Sequence, residues 1–357
     1  MKADLFYTTL QAAPAGVPVK KELEGGIEPT QEGYTQGTFL PILHNAPTNE
    51  LAAMSNAPIT KRDKVTNESV VDAGSVRLFI EEYAELLAPR CSVFKLLDMF
   101  CIELAKVNDF RSPKGAQNNT VTISLDRYME LCGLDPAKKP LKDKTRRRLH
   151  EDLSYLYRFS IEWQDPRGGK YADFKKQRIC SRAELCKGVI TFTFAESLAT
   201  NLNSSFIGQY PTAIFRLDDR NKNAYPLARK IAMHACNDSN RIKGTAYTLS
   251  VETLLSVCPD IPSYKEVGEK DRAFTRKIRE PLEKALDSLA EFTAWEYCNP
   301  KGAPLTEEQL EARDWETYSR LLVRFHFNEE PDNKARLARK AERTGKRKAR
   351  AKKKPAQ

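Results

Sequence analysis

No run of about 18 apolar residues occurs in the 357-residue chain, so no membrane-spanning helix is expected. Histidine is scarce. The four are His44, His150, His234 and His326, and none makes the His-x-His pair that holds a metal in rolling-circle nickases. No GxxxxGK(S/T) phosphate loop is present, which argues against ATP hydrolysis. The eight cysteines include no CxxC pair and follow no signal-peptide pattern. Cys91, Cys101, Cys132, Cys236 and Cys258 lie in apolar helical contexts and read as buried small residues. Cys180 and Cys186 make a weak metal spacing without a nearby histidine, so structural thiols are the simpler reading. The expectation is a cytoplasmic protein with no cofactor, no metal and no membrane partner, and not an enzyme.

Charge is plentiful but uneven. The net charge is +10. Between Lys334 and Lys354 stand 12 Lys and Arg against one acid, Glu342, and the rest of the chain is near neutral. The basic pI therefore reports a basic tail, which suits non-specific attraction to nucleic acid.

The strongest pattern is an internal repeat. Thr122-Ile123-Ser124-Leu125 matches Thr248-Leu249-Ser250-Val251, and Cys132 falls at Cys258, an offset of 126. After a loop the offset becomes 133. There Leu141, Leu149, Leu153, Leu156 and Phe159 meet Phe274, Leu282, Leu286, Leu289 and Phe292. Five apolar matches in one helical register point to a duplicated domain.

Each copy reads strand, short helix, loop, long helix, strand. Ser124 and Ser250 are placed as N-caps, with Asp126 and Glu252 in the first turn. Cys132-Gly133 and Cys258-Pro259 stop the short helices. The long helix spans about 141–157 and, in the copy, about 271–289. With Thr145 at the centre of its buried stripe, Lys144, Arg146 and Arg147 point outward and Arg148 lies at the core edge. In the copy the outward positions are Arg272, Arg276, Lys277 and Arg279. Pro281 conflicts with an unbroken helix; it either kinks the helix or opens a second segment. A strand from Phe159, a turn at 165–170 and a return strand at 189–194 make an expected hairpin. In the copy the turn is Asn299 to Gly302 and the return strand is 320–327. Helix, helix and basic hairpin predict a winged helix-turn-helix, whose second helix enters a major groove.

On that reading the outward arginines reach base edges. Arg167, Lys170, Lys175, Lys176, Arg178 and Lys301, in and after the hairpins, meet phosphates. A lone basic helix is usually only a solvated face. Its recurrence in both copies, on the helix assigned to the groove, favours DNA contact.

The domain reading is α+β: a low-order arm over 1–74, winged-helix units over 75–205 and 206–330, and a basic disordered tail over 331–357. Val76, Phe79, Ile80, Tyr83, Leu86 and Leu87 predict an amphipathic helix stopped by Pro89, and 93–107 a buried one. Residues 225–236 predict the counterpart helix of the second unit, 195–201 a short helix, and 206–217 a packed connector. Thr306-Glu307-Glu308-Gln309 is a capping-box pattern.

Tandem units of this kind, the second carrying RAFTRKIREPLEKALDSL before a strand, resemble plasmid replication initiator proteins over roughly residues 75–330. The resemblance implies binding to repeated double-stranded origin sites, recruitment of host helicase and primase, and no covalent chemistry. It also implies a homodimer formed through the first unit. The rivals are a winged-helix transcriptional regulator and a metal-dependent nickase or relaxase.

Overall fold

The computed structural model describes residues 39–328, apart from 45, 56–60, 64–67, 74–75, 82–89, 109–117, 164–174, 204–205, 237–239, 241–243, 246, 268–273, 307–308 and 311–314. It is an α+β fold. Among the described residues no helix is long and apolar enough to cross a membrane.

The segment expected as a low-order arm is structured from residue 39. Strand β1 (Phe39–His44) pairs antiparallel with β10 (Phe206–Pro211), and helix α1 (Ala46–Ala53) follows. Leu40, Ile42, Leu43, Leu51 and Met54 are buried. Pro41 fits because, among the described residues, β1 has a strand on one side only. Residues 1–38 and the tail after Asn328 lie outside the described residues.

Strands β2 (Lys61–Asp63), β3 (Glu68–Ala73) and β4 (Val76–Ile80) form a meander. The helix expected to begin at Val76 is therefore a strand at its start. Its residues are β-formers, and ladders to β3 and to β6 (Phe159–Trp163) satisfy both backbone edges while Leu78 and Ile80 enter the core. Tyr83, Leu86 and Leu87 lie outside the described residues.

Two stretches then share one order of elements. The first is α2 (Cys91–Val107), β5 (Thr120–Ser124), α3 (Leu125–Leu131), α4 (Lys139–Arg158), β8 (Cys180–Cys186) and β9 (Val189–Phe194), with sheet order β5-β9-β8. The second begins with α6 (Ala224–Cys236), β11 (Thr248–Ser250), α7 (Val251–Leu255) and α8 (Tyr264–Val267). A π-helical turn (Thr275–Arg279) then runs into α9 (Glu280–Asp287), followed by β12 (Thr293–Cys298) and β13 (Leu322–Phe327), with sheet order β11-β13-β12. Between the two stand α5 (Glu196–Asn203), β10 and a 3-10 turn (Thr212–Arg216).

The correspondence extends to single bonds. Ser124 Oγ accepts from the Arg127 N–H at 3.1 Å, and Ser250 Oγ from the Thr253 N–H at 3.2 Å. Each cap is worth about 1 kcal/mol. The N–H of Leu125 donates to the Gly188 carbonyl at 2.8 Å and that of Val251 to the Leu321 carbonyl at 2.9 Å, each just before the last strand. Leu149, Leu153, Leu156 and Phe159 are buried, as are Leu282, Leu286, Leu289 and Phe292. The buried core runs unbroken through both stretches.

The hairpin of the first stretch differs from expectation. The strand after α4, β6, joins the five-stranded sheet β2-β3-β4-β6-β7, where β7 is Lys175–Arg178. The hairpin that completes the β5 sheet is β8–β9, closed by Lys187-Gly188. Both turn residues have positive φ, 49° and 81°, the twist a two-residue hairpin needs.

Candidate nucleic-acid interface

Helix α4 presents its outer face as its periodicity requires. Thr145 is buried, and Lys144, Arg146 and Arg147 are exposed. Arg146 lies 3.8 Å from Asp143, an exposed pair worth little. Lys144 and Arg147 make no ion pair among the described residues. Arg148 is instead turned to the core edge, where it pairs with Asp219.

Short helix α3 braces this helix from below. Gly133, at φ +70°, ends it: the Gly133 N–H bonds the Glu130 carbonyl, and the Leu134 N–H reaches back to the Met129 carbonyl at 2.8 Å. Asp126 pairs with Lys142 across the gap between the two helices.

In the second stretch the helix is two segments, and Pro281 stands in the first turn of the second, α9. The turn before it widens to π geometry, with the Glu280 N–H bonded to the Thr275 carbonyl, and α9 follows directly. Arg276 and Lys277 are exposed, without an ion pair among the described residues. Arg279, expected outside, is only 9% exposed, and its Nε donates to Glu283 at 2.7 Å. Arg279 is therefore a packing residue. Arg272 lies outside the described residues.

An inserted element supports the start of this helix. Thr306 and Gln309 form the expected capping box, with Thr306 N–H to Gln309 Oε1 at 3.1 Å and Gln309 N–H to Thr306 Oγ1 at 3.3 Å. Helix α10 (Trp315–Ser319) follows. Trp315 stacks on Tyr264 at 4.7 Å and stands edge-on to Phe274 at 5.7 Å, while Tyr318 packs on Phe274 at 5.0 Å. Such ring contacts add about 0.5–1.5 kcal/mol each beyond their burial.

Two residues assigned to phosphate contact are engaged elsewhere. Lys176 lies 4.2 Å from the Phe79 ring and pairs with buried Glu68. Arg178 pairs with Glu81 at 2.6 Å and lies over Tyr157. Both belong to β7 in the five-stranded sheet, and their charges are met there. Lys175 sits on β7 opposite Trp163. Arg167 and Lys170 lie outside the described residues.

The cation that does stand at the tip of the β8–β9 hairpin is Lys187, exposed and without an ion pair among the described residues. The Lys-Gly dipeptide before VITFTF was its sequence signal, masked because polar β8 does not read as a strand. Lys301 does occupy an exposed tip, in a turn where Asn299 Oδ1 accepts from the Lys301 and Ala303 N–H groups.

The cysteines are mostly interior: Cys91, Cys101, Cys180, Cys258 and Cys298 are buried, Cys132 and Cys236 half-buried, and Cys186 exposed. Burial pushes the Cys258 thiol up to about 12, so it is not a nucleophile at neutral pH.

The chain matches no protein-family model, and no curated protein is significantly similar to it.

Proposed function

We propose that the protein is a sequence-specific double-stranded DNA-binding protein made of two winged helix-turn-helix units, and that it initiates replication of a plasmid or mobile element. One observation carries this reading. The same order of elements occurs twice, and each time the helical segment before the hairpin carries exposed cations with no ion pair among the described residues, Lys144 and Arg147 on α4 and Arg276 and Lys277 on the π turn that runs into α9. In a winged unit that helix lies in the major groove, where arginine bonds guanine O6 and N7. Lys187 and Lys301, at the two hairpin tips, are placed for phosphates. In this reading the protein acts by binding origin repeats and recruiting host helicase and primase, without covalent chemistry of its own.

The test is a footprint on the DNA flanking the gene, on linear and supercoiled templates, with Mg²⁺ present. Protection of direct repeats, with supercoiled template left intact, supports an initiator. Protection confined to the gene's own promoter, without repeats, favours a transcriptional regulator. Nicked product would establish a nickase instead.

A further inference from the structure

We propose that Asp219 is a positioning residue that holds the groove-facing helix of the first unit at one fixed setting against the second unit. The protein then accepts only duplex whose two contact sites stand at one helical phase. The phase requirement rests on the DNA-binding reading above; the clasp itself does not.

Asp219 lies in the connector between the two units, and the first unit holds both its carboxylate oxygens. Lys95 of α2 donates to Oδ1 at 2.7 Å and to the Leu217 carbonyl at 2.6 Å, with its side chain 6% exposed. Arg148 of α4, one residue from exposed Arg147, takes Oδ2. Arg148 also stands 4.0 Å from buried Asp152. A connector carboxylate is thus bound by the buried helix and by the groove-facing helix together.

The other side of the connector is tied to the second unit. Arg216 pairs with Glu291, and Lys222 with Asp260 at 3.2 Å. Asn221 Nδ2 donates to Ser288 Oγ at 3.2 Å, and Asn223 Oδ1 accepts from the Asp260 N–H at 3.0 Å. Ser288 and Glu291 follow directly on α9, the groove-facing helix of the second unit. The stem of Arg216 also crosses Gly133, where a Cβ would stand 3.0 Å from Arg216 Cδ. The end of α3 is therefore seated on the connector as well.

The exposed pairs in this set are individually weak. Lys95 is different: without Asp219 its ammonium is a buried cation with one carbonyl for company. The connector is consequently a strut. Linked sites joined by a strut gain from each other only on DNA of matching geometry.

Two measurements on the full chain test this. The first is the spin-label distance distribution between native Cys186, the exposed thiol, and Glu316→Cys on α10, with Cys132 and Cys236 replaced by Ala. The distribution should be narrow in the parent and broad with Asp219→Ala. The second uses a duplex selected from a random library, with about 5 or about 10 base pairs inserted between the two halves of its footprint. The parent should lose about tenfold in affinity for the half-turn insertion relative to the full-turn one. Asp219→Ala should lose about threefold or less, while its affinity for the isolated half-site stays unchanged. A merely structural defect would lower both. If Asp219→Ala does not fold, the double variant Lys95→Met/Asp219→Asn removes the buried charge and serves in its place. An unchanged distance distribution overturns the proposal, and so does an unchanged spacing profile. If no duplex is selected, the DNA reading fails and the distance measurement still decides the clasp.

Discussion

Arg229 on α6 donates its Nε–H to both carboxylate oxygens of Asp98 on α2, at 3.0 and 2.9 Å, in a setting where both side chains are under 5% exposed. Tyr210 and Tyr225 hydroxyls donate to the same Asp98 oxygen at 2.8 and 2.7 Å, and Arg229 Nη1 donates to Asn49 at 2.9 Å. Helices α2 and α6 and strand β10 thus meet on one carboxylate, and helix α1 joins them through Asn49 on the Arg229 guanidinium. Beside them, burial and the Arg229 charge hold His44 down at about 3, so it is neutral at any working pH.

Removing the Asp98 charge should therefore loosen α2 and α6 together. Asp98→Asn leaves a buried guanidinium uncompensated and is expected to cost about 3–5 kcal/mol in urea unfolding. Hydrogen exchange should show α2 and α6 losing protection by the same amount. Loss confined to one of them would show that the network does not couple the two helices.

Base-edge contact predicts a selective loss. Arg147→Ala or Arg276→Ala should each cost about 1–3 kcal/mol on specific duplex and little on random duplex, measured by competition at fixed salt. Arg279→Ala, by contrast, should lower thermal stability through the lost Glu283 pair. An Arg276→Ala loss that is equal on both duplexes would remove that residue from base recognition.

Lys187→Ala and Lys301→Ala should weaken binding uniformly across sequences. Each should lower the slope of log K against log salt by about 0.9. Deleting residues 334–357, which carry the basic run, should flatten the slope further and leave site choice intact. A changed sequence preference in the deletion would give the tail a reading role.

Asp152 gives the fold a pH signature. Burial raises its carboxyl to about 6, above the ordinary 3.8. The folded state therefore holds this proton more tightly than the unfolded chain does. The stability this group contributes is complete below pH 3.8, falls as pH rises from there to about 6, and is absent above. Asp152→Asn should remove that slope, so the stability of variant minus parent should rise by up to about 3 kcal/mol between pH 4 and pH 7. Ser92 Oγ, which donates to Asp152 at 3.0 Å, can still donate to the amide oxygen. A flat difference across that range would contradict the assignment.

The apolar pattern was readable because helical spacing and burial agree in both stretches. Leu149, Leu153 and Leu156 have counterparts at one offset, and a serine caps the short helix in each copy. The capping box at Thr306 was readable for the same local reason. What failed depended on distant partners. β1 becomes a strand only against β10, and β4 only between β3 and β6. Lys176 and Arg178 looked like hairpin cations until β7 joined a different sheet and met Glu68 and Glu81. Arg279, expected outside, is buried because its guanidinium meets Glu283 one turn on, a partner that counting outward positions leaves out.

The most direct test of the account is selection of duplexes from a random library by the full chain, followed by a footprint of the winner. One recurring motif should emerge, protected over two groove segments about one helical turn apart, and be lost in Arg147→Ala/Lys277→Ala. No enrichment over random duplex, or enrichment that this double variant leaves intact, would contradict it.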